Sequence, residues 1–196
     1  AGANPEAKPR HLLGYAVMGS VYARHVLKVK NPSVGLMSNG EEDEKGTAFT
    51  KETFALIKEY VDTGKAPFDW LGNVEGHDLF MTKLDVCLCD GFVGNVVLKS
   101  CEATAKAMSK WLKEAMKSNP VRMAGALMAK GGFAAVKQRT NYESYGGSPL
   151  LGVKGVCIIA HGSSSALALQ NAIRVAAESI EHKVNPHIVE AMQGVG

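Results

Sequence analysis

The sequence predicts an α/β domain with a mostly parallel sheet and helices on both faces. Short apolar runs closed by glycine and polar residues alternate with longer segments of helical periodicity, the pattern of strands joined by crossover helices. Hydrophobic residues make up 46% of the 196 positions, enough to bury one compact core. A segment free of glycine and proline from Val96 to Lys117 opens a helical hairpin, expected over residues 96–139 and inserted in the α/β fold.

The elements follow in order. Pro9 suits the first turn of a helix, and Leu12, Leu13, Ala16, Val17, Val21 and Val26 recur at helical spacing as far as Val29. Residues 33–40, SVGLMSNG, read as a buried strand with a functional-looking loop behind it. Phe49, Phe54, Leu56, Ile57, Tyr60 and Val61 mark a second helix, broken at Gly64 and Pro67. FDWLGNVEG and KLDVCLCDGF each place a short apolar strand before a glycine-containing turn. From Val96 to Lys117, Leu98, Cys101, Ala105, Met108, Leu112 and Ala115 form a seam expected to pack on another helix. Ser118, Asn119 and Pro120 make a turn, after which Met123, Ala124, Leu127, Met128, Phe133 and Val136 continue the pattern, weakened by Gly131 and Gly132. GVCIIAHG reads as another buried strand, and SSSALALQNAIRVAAESIEH as a capped amphipathic helix.

The net charge of +3 hides an asymmetry. Residues 99–139 hold nine basic side chains against Glu102 and Glu114, so this stretch carries +7 and the remainder −4. That concentration calls for an acidic partner or an anionic surface. The four cysteines lack zinc-type spacing and read as reduced core residues of a cytosolic protein. Cys87 and Cys89 are expected on opposite sides of the sheet, which excludes a shared metal. The acidic run Glu41 to Glu44 reads as a solvated loop rather than a metal site, and no cofactor or metal is called for. No apolar run of about 18 residues could span a bilayer. The opening AGANPEAKPRHLL begins with Ala1, as expected of a fragment or a processed product.

In parallel sheets, ligands gather at the carboxyl ends of the strands. Four strands here end in polar, glycine-rich loops: Asn39-Gly40-Glu41-Glu42, Gly72-Asn73-Val74-Glu75-Gly76, Asp90-Gly91-Phe92-Val93-Gly94-Asn95 and His161-Gly162-Ser163-Ser164. Glycine admits close backbone approach to an anion, and amides at a helix start receive phosphate oxygens without a lysine. The Asp90 and His161 loops, each ahead of a helix, are thus candidate phosphate cradles. His161 is either an acid–base group or a helix-entry histidine capping backbone groups. Asp90 either orients a basic partner or caps the next helix.

Four segments together resemble the phosphate acyltransferases of bacterial glycerolipid synthesis: NPSVGLMSNGEEDEKG, LGNVEGHDLF, DVCLCDGFVGNVVLKSCEA and YESYGGSPLLGVKGVCIIAHGSSSALALQNAI. DGFVGNVVLK and GGSPLLGVKGVCIIAHGSS are also distantly similar to phosphotransacetylases. The resemblance implies the fold of the isocitrate and isopropylmalate dehydrogenases, with a comparably large segment of the family preceding this one. It implies reversible transfer of a long acyl chain from acyl carrier protein to orthophosphate, and a homodimer whose hairpins dock on anionic membranes. No nucleic acid is expected as a partner.

On that reading His161, Asp90 and Asn95 are the catalytic candidates. Asn39, Gly40, Asn73, Glu75, Gly76, Gly91, Gly94, Lys99, Gly146, Gly147, Gly162 and Ser163 are the candidates for substrate binding. Phosphate would sit on the Asn95 and Ser163 loops, with His161 polarising the carbonyl. The alternatives are phosphotransacetylase-like transfer from a coenzyme A thioester, a dehydrogenase, or a non-catalytic carrier-protein or membrane adaptor. Against the dehydrogenase stands the lack of any aspartate after Asp90 for a metal site.

Overall fold

The computed structural model describes residues 3–139, 147–160, 162 and 164–195. The chain begins with α1 (Pro9–His25), β1 (Ser33–Met37), α2 (Ala48–Asp62), β2 (Asp69–Val74), α3 (Asp78–Met81) and β3 (Val86–Leu88). It continues with α4 (Gly91–Lys117), α5 (Pro120–Met128) and α6 (Lys130–Arg139). The last elements are β4 (Ser148–Pro149), β5 (Ile158–Ile159), α7 (Ala166–Glu181) and α8 (Val184–Met192).

β1 is the middle strand of a parallel sheet ordered β2-β1-β3. A strand paired on both edges is cut off from water along its length, so its run is apolar without alternation. Ser33 through Leu36 are all buried. Val34 and Leu36 share one face with Leu88, and that face receives Leu12, Leu13, Ala16 and Val17 of α1 with Phe54, Ile57 and Tyr60 of α2. The other side of β1 at Gly35 has no room for a side chain, because Val74 and Leu84 close on it. Ser33 sets the register at the strand's start: its hydroxyl donates to the Lys83 carbonyl and to Asp85 (both 2.8 Å), and Asp85 Oδ2 also accepts from the Ser33 amide (2.8 Å).

The helix starts are built from local contacts. Pro9 opens α1 as its first residue, and the Thr47 hydroxyl caps α2 by accepting from the Thr50 amide (3.2 Å). Asn119 does the same for α5, accepting from Arg122 (2.8 Å).

Four expectations are corrected. α4 starts at Gly91, five residues before the expected Val96, because Asp90 caps it. The helix restarted at Pro120 breaks at Ala129, just ahead of the Gly131-Gly132 pair, giving α5 and α6 in place of one helix. The seam of α4 stays largely uncovered among the described residues, with α5 its one substantial helical neighbour: Met108 is 61% exposed and Leu112 43%, and α4 buries only Gly91 and Gly94. The run GVCIIAHG is not a buried strand of the parallel sheet. Its Ile158 and Ile159 pair antiparallel with Pro149 and Ser148 in a separate two-stranded ribbon, and Ile159 is 53% exposed.

The cysteines also depart from expectation. Cys157 is exposed rather than in the core. The expectation that Cys87 and Cys89 straddle the sheet fails on strand geometry, which sends residues two apart to the same side, and β3 itself ends at Leu88, before Cys89. Burial, and then the neighbouring Cys89 thiol, push the Cys87 thiol up to about 12. Both thiols therefore stay protonated and unreactive at neutral pH.

Candidate functional site

All three strands of the parallel sheet run the same way, so the loops after Met37, Val74 and Leu88 emerge at one edge. The first two of these loops are stitched together. Buried Asn73 donates through Nδ2 to the Glu42 carbonyl (2.8 Å), and the Ser38 amide donates to the Val74 carbonyl (2.8 Å). Among the described residues Asn73 Oδ1 has no partner. Gly40 is buried where a side chain would collide with Lys45 and Glu42, which accounts for glycine there by packing. Asn39 is exposed at the rim, and Gly76 has open space around it.

A cluster that the sequence reasoning missed stands at this junction. His77 lies between three carboxylates, with Nε2 3.7 Å from Glu41 and 3.5 Å from Asp78, and Nδ1 3.5 Å from Glu75. Asp78 is buried, accepting from the Thr82 hydroxyl and from the Glu75 amide (2.8 Å). The Thr82 and Glu75 hydrogen bonds hold its carboxyl below the usual aspartate range. The signal was present as EGHD in LGNVEGHDLF, but only the approach of Glu41 from the β1 loop makes it a cluster.

The third loop is in fact a helix start. Asp90 Oδ1 accepts from the amides of Phe92 (2.8 Å) and Val93 (2.9 Å), the Gly91 amide donates to the Asn4 carbonyl (2.8 Å), and the Gly94 amide donates to the Asp90 carbonyl (2.9 Å). Every amide of this first turn is therefore engaged inside the chain, and the capping role of Asp90 is the one realised. Gly91 is required because Asn4 backbone crosses it at 2.7–2.8 Å from where a Cβ would stand. Asn95 and Lys99, one turn apart on α4, line an open groove with Pro5, Gly91, Phe92 and Val96. Lys99 pairs there with Glu102 (3.2 Å).

The fourth loop precedes α7, whose first turn is capped by Ser165 accepting from Ala168 (3.2 Å). Gly162 is exposed, and a Cβ there would meet none of the described residues. Gly147 faces Ile158 and Ile159 so closely that a side chain would displace β5, a packing role for one of the substrate-binding candidates. His161, Ser163 and Gly146 lie outside the described residues.

The structure thus joins Asn39, Gly40, Asn73, Glu75 and Gly76 in one group, and Asp90, Gly91, Gly94, Asn95 and Lys99 in a second group at the same sheet edge. The family described as "Fatty acid synthesis protein" matches residues 1–187. The chain belongs to that family. Its relatives include phosphate acyltransferases of Akkermansia muciniphila, 61% identical over 195 residues, and of Leptospira biflexa, 47% identical over 194. A third, from Geotalea uraniireducens, is 46% identical over 192 residues. These alignments take in 98–100% of this chain and 54–56% of each relative, so the chain spans about half the length of the curated relatives it matches. Among the described residues, no helix of this family member is long and apolar enough to cross a membrane.

Proposed function

We propose that this chain carries part of the site of a phosphate acyltransferase, which moves a long-chain acyl group from acyl carrier protein to orthophosphate and so supplies acyl phosphate for phospholipid synthesis. The observation that carries this reading is the 61% identity to a phosphate acyltransferase across the whole chain. The sheet edge where the candidate groups converge supports it.

Phosphate already has nucleophilic oxyanions at neutral pH, so the reaction needs no serine or cysteine nucleophile. One phosphate oxygen attacks the thioester carbonyl, the carbonyl oxygen takes the negative charge, and the thiolate of the carrier leaves and is protonated. The protein's work is to hold phosphate beside the thioester and to stabilise the oxyanion. In this reading Asn95 and Lys99 serve phosphate with their side chains, the α4 amides being already engaged, while Ser163 contributes from the α7 side. His161 polarises the carbonyl, and Asp90 acts by fixing the start of α4.

The same proposal covers the fold at large and the central helices. The complete domain adopts the isocitrate/isopropylmalate dehydrogenase-like arrangement, with helices on both faces of its sheet and residues 96–139 as an inserted hairpin. Two copies pair through the uncovered α4 seam. The lysine-rich helices meet the acidic carrier protein and anionic bilayers. In this reading Val121, Met123, Leu127 and Met128, which are 82%, 57%, 74% and 89% exposed, form an apolar tip on a basic shaft. A Leu127→Glu, Met128→Glu variant is expected to lose sedimentation with vesicles containing anionic lipid at low salt, where the parent sequence is retained.

The deciding experiment extends the sequence to its relatives' length and supplies phosphate with an acyl carrier protein thioester or the matching coenzyme A thioester. Acyl phosphate, trapped as the hydroxamate, is expected from the carrier-bound donor at the higher rate. Preference for coenzyme A would move the reading to a phosphotransacetylase-like enzyme. No acyl phosphate from either donor, with carrier protein still bound, would make the chain an adaptor.

A further inference from the structure

Away from the strand ends, titratable groups gather where the C-terminal end of α1 meets α8. The rings of His25 and His187 lie stacked, with centroids 4.1 Å apart and planes inclined by 11°. The Lys28 ammonium donates to the His25 carbonyl (2.8 Å) and sits 2.9 Å from Nε2 of His182. An ammonium has only donors, so Lys28 is the donor in that contact. His25 thus meets positive or protonatable groups from three elements: Arg24 and Lys28 at the end of α1, His182 at the end of α7, and His187 on α8. On the α7 side, Arg174 and Glu178 pair with each other (2.7 Å) and bear on Tyr22. The opposing charge at the stack is Glu190, 3.9 Å from His187 Nδ1 and 82% exposed, where water screens it.

This corner holds more than two rings. Beneath it Val21 of α1 packs with Val184 and Ile188 of α8 in a second apolar cluster, which Leu151 also joins. From α8, Asn185 Nδ2 donates to the carbonyls of Val153 (3.2 Å) and Gly155 (2.9 Å), in the turn between β4 and β5. The seat of α8 therefore also sets the turn that leads into β5.

We propose that the His25–His187 stack is a pH-sensitive latch, which holds α8, and through Asn185 the turn before β5, against α1. Neutral imidazoles stack at this distance without penalty, whereas two imidazolium rings place like charges face to face beside Arg24 and Lys28. Burial first, and then His187, Arg24, Lys28 and His182, lower the His25 pKa from its ordinary value. The folded junction binds fewer protons than the unfolded chain. Its stabilisation is therefore present above about pH 6.5, the ordinary histidine value, and is lost as the pH falls through the lower folded value.

Hydrogen exchange of the 196-residue chain at pH 7.5 and 5.5, corrected for intrinsic amide rates, tests the latch. Amides of α8 and of residues 153–156 are expected to lose about tenfold in protection on acidification relative to those of β1. A His25→Phe, His187→Phe variant keeps two stacked rings without the protons and is expected to show no such differential loss. Imidazole titration by NMR stands beside it in case that variant folds poorly, with His25 expected to titrate below its ordinary value. Equal protection of α8 at the two pH values, the same loss in the Phe variant, or a His25 titration above 6.5 overturns the latch.

Discussion

The α/β layer from α1 to β3 and the helices α4 to α6 are written in the same amphipathic language, yet they behave differently. α1 presents apolar residues three and four apart and buries Leu12, Leu13, Ala16, Val17 and Val21 among them. α4 repeats the spacing over 27 residues and buries only two glycines at its start. α5 buries nothing. Periodicity states which face of a helix seeks cover; it does not state what supplies the cover. In the first region the sheet and α2 supply it, whereas in the second the described chain leaves it unmet.

Paired truncations at the two seams should show the largest contrast. Ile57→Ala removes a fully buried side chain from the packed layer and is expected to cost about 2–5 kcal/mol in urea denaturation. Leu112→Ala, on the α4 seam, is expected to cost less than about 0.5 kcal/mol in the monomeric chain. A large Leu112 effect together with a melting temperature that rises with protein concentration would show a second copy covering the seam, and the contrast would disappear.

The joint between the regions comes next in size. Asp90→Ala removes two hydrogen bonds to the first turn of α4 and is expected to cost about 1 kcal/mol, read by the same denaturation curves. Since α4 is otherwise barely buried, that loss should appear as fraying of α4 in hydrogen exchange while β1 stays protected. Uniform deprotection of both would show that the two regions unfold as one unit.

The smallest effect is expected at Asp78, a buried carboxylate of the packed layer. Its lowered pKa means that its contribution is present above the ordinary aspartate value and is lost as the pH falls through the folded value. Asp78→Asn should therefore flatten the fall in stability between neutral pH and about pH 3, with Thr82 and the Glu75 amide as the groups left mismatched. An acid limb identical to that of the parent would reduce Asp78 to an ordinary surface carboxylate.

Much of this was legible before the structure, and the legible part has a common cause. The Pro9 start, the helix restart at the Ser118-Asn119-Pro120 turn and the buried run of β1 depend on residues within a turn or a strand of one another. What escaped depends on distant partners. The start of α4 is hidden in the sequence because Gly91 and Gly94 look like loop residues, yet Gly91 is there to let Asn4 cross the helix end. The Ile158 run could not be told from a parallel strand by composition, and its pairing with Ser148 and Pro149 settled the matter. His77 drew no notice because two of its three carboxylates are local and the third, Glu41, arrives from another strand end.

By itself the sequence determined the order of α1, β1, α2, β2, β3, α4 and α7 and the family, because these are carried by local spacing and by motifs that survive in linear order. The tertiary structure alone decided which faces found cover, that the Gly91 amide at the α4 start was taken by Asn4, and which histidines met. Those outcomes turn on contacts between residues far apart in the chain, such as Asn4 with Gly91 and His25 with His187, and no local periodicity encodes them.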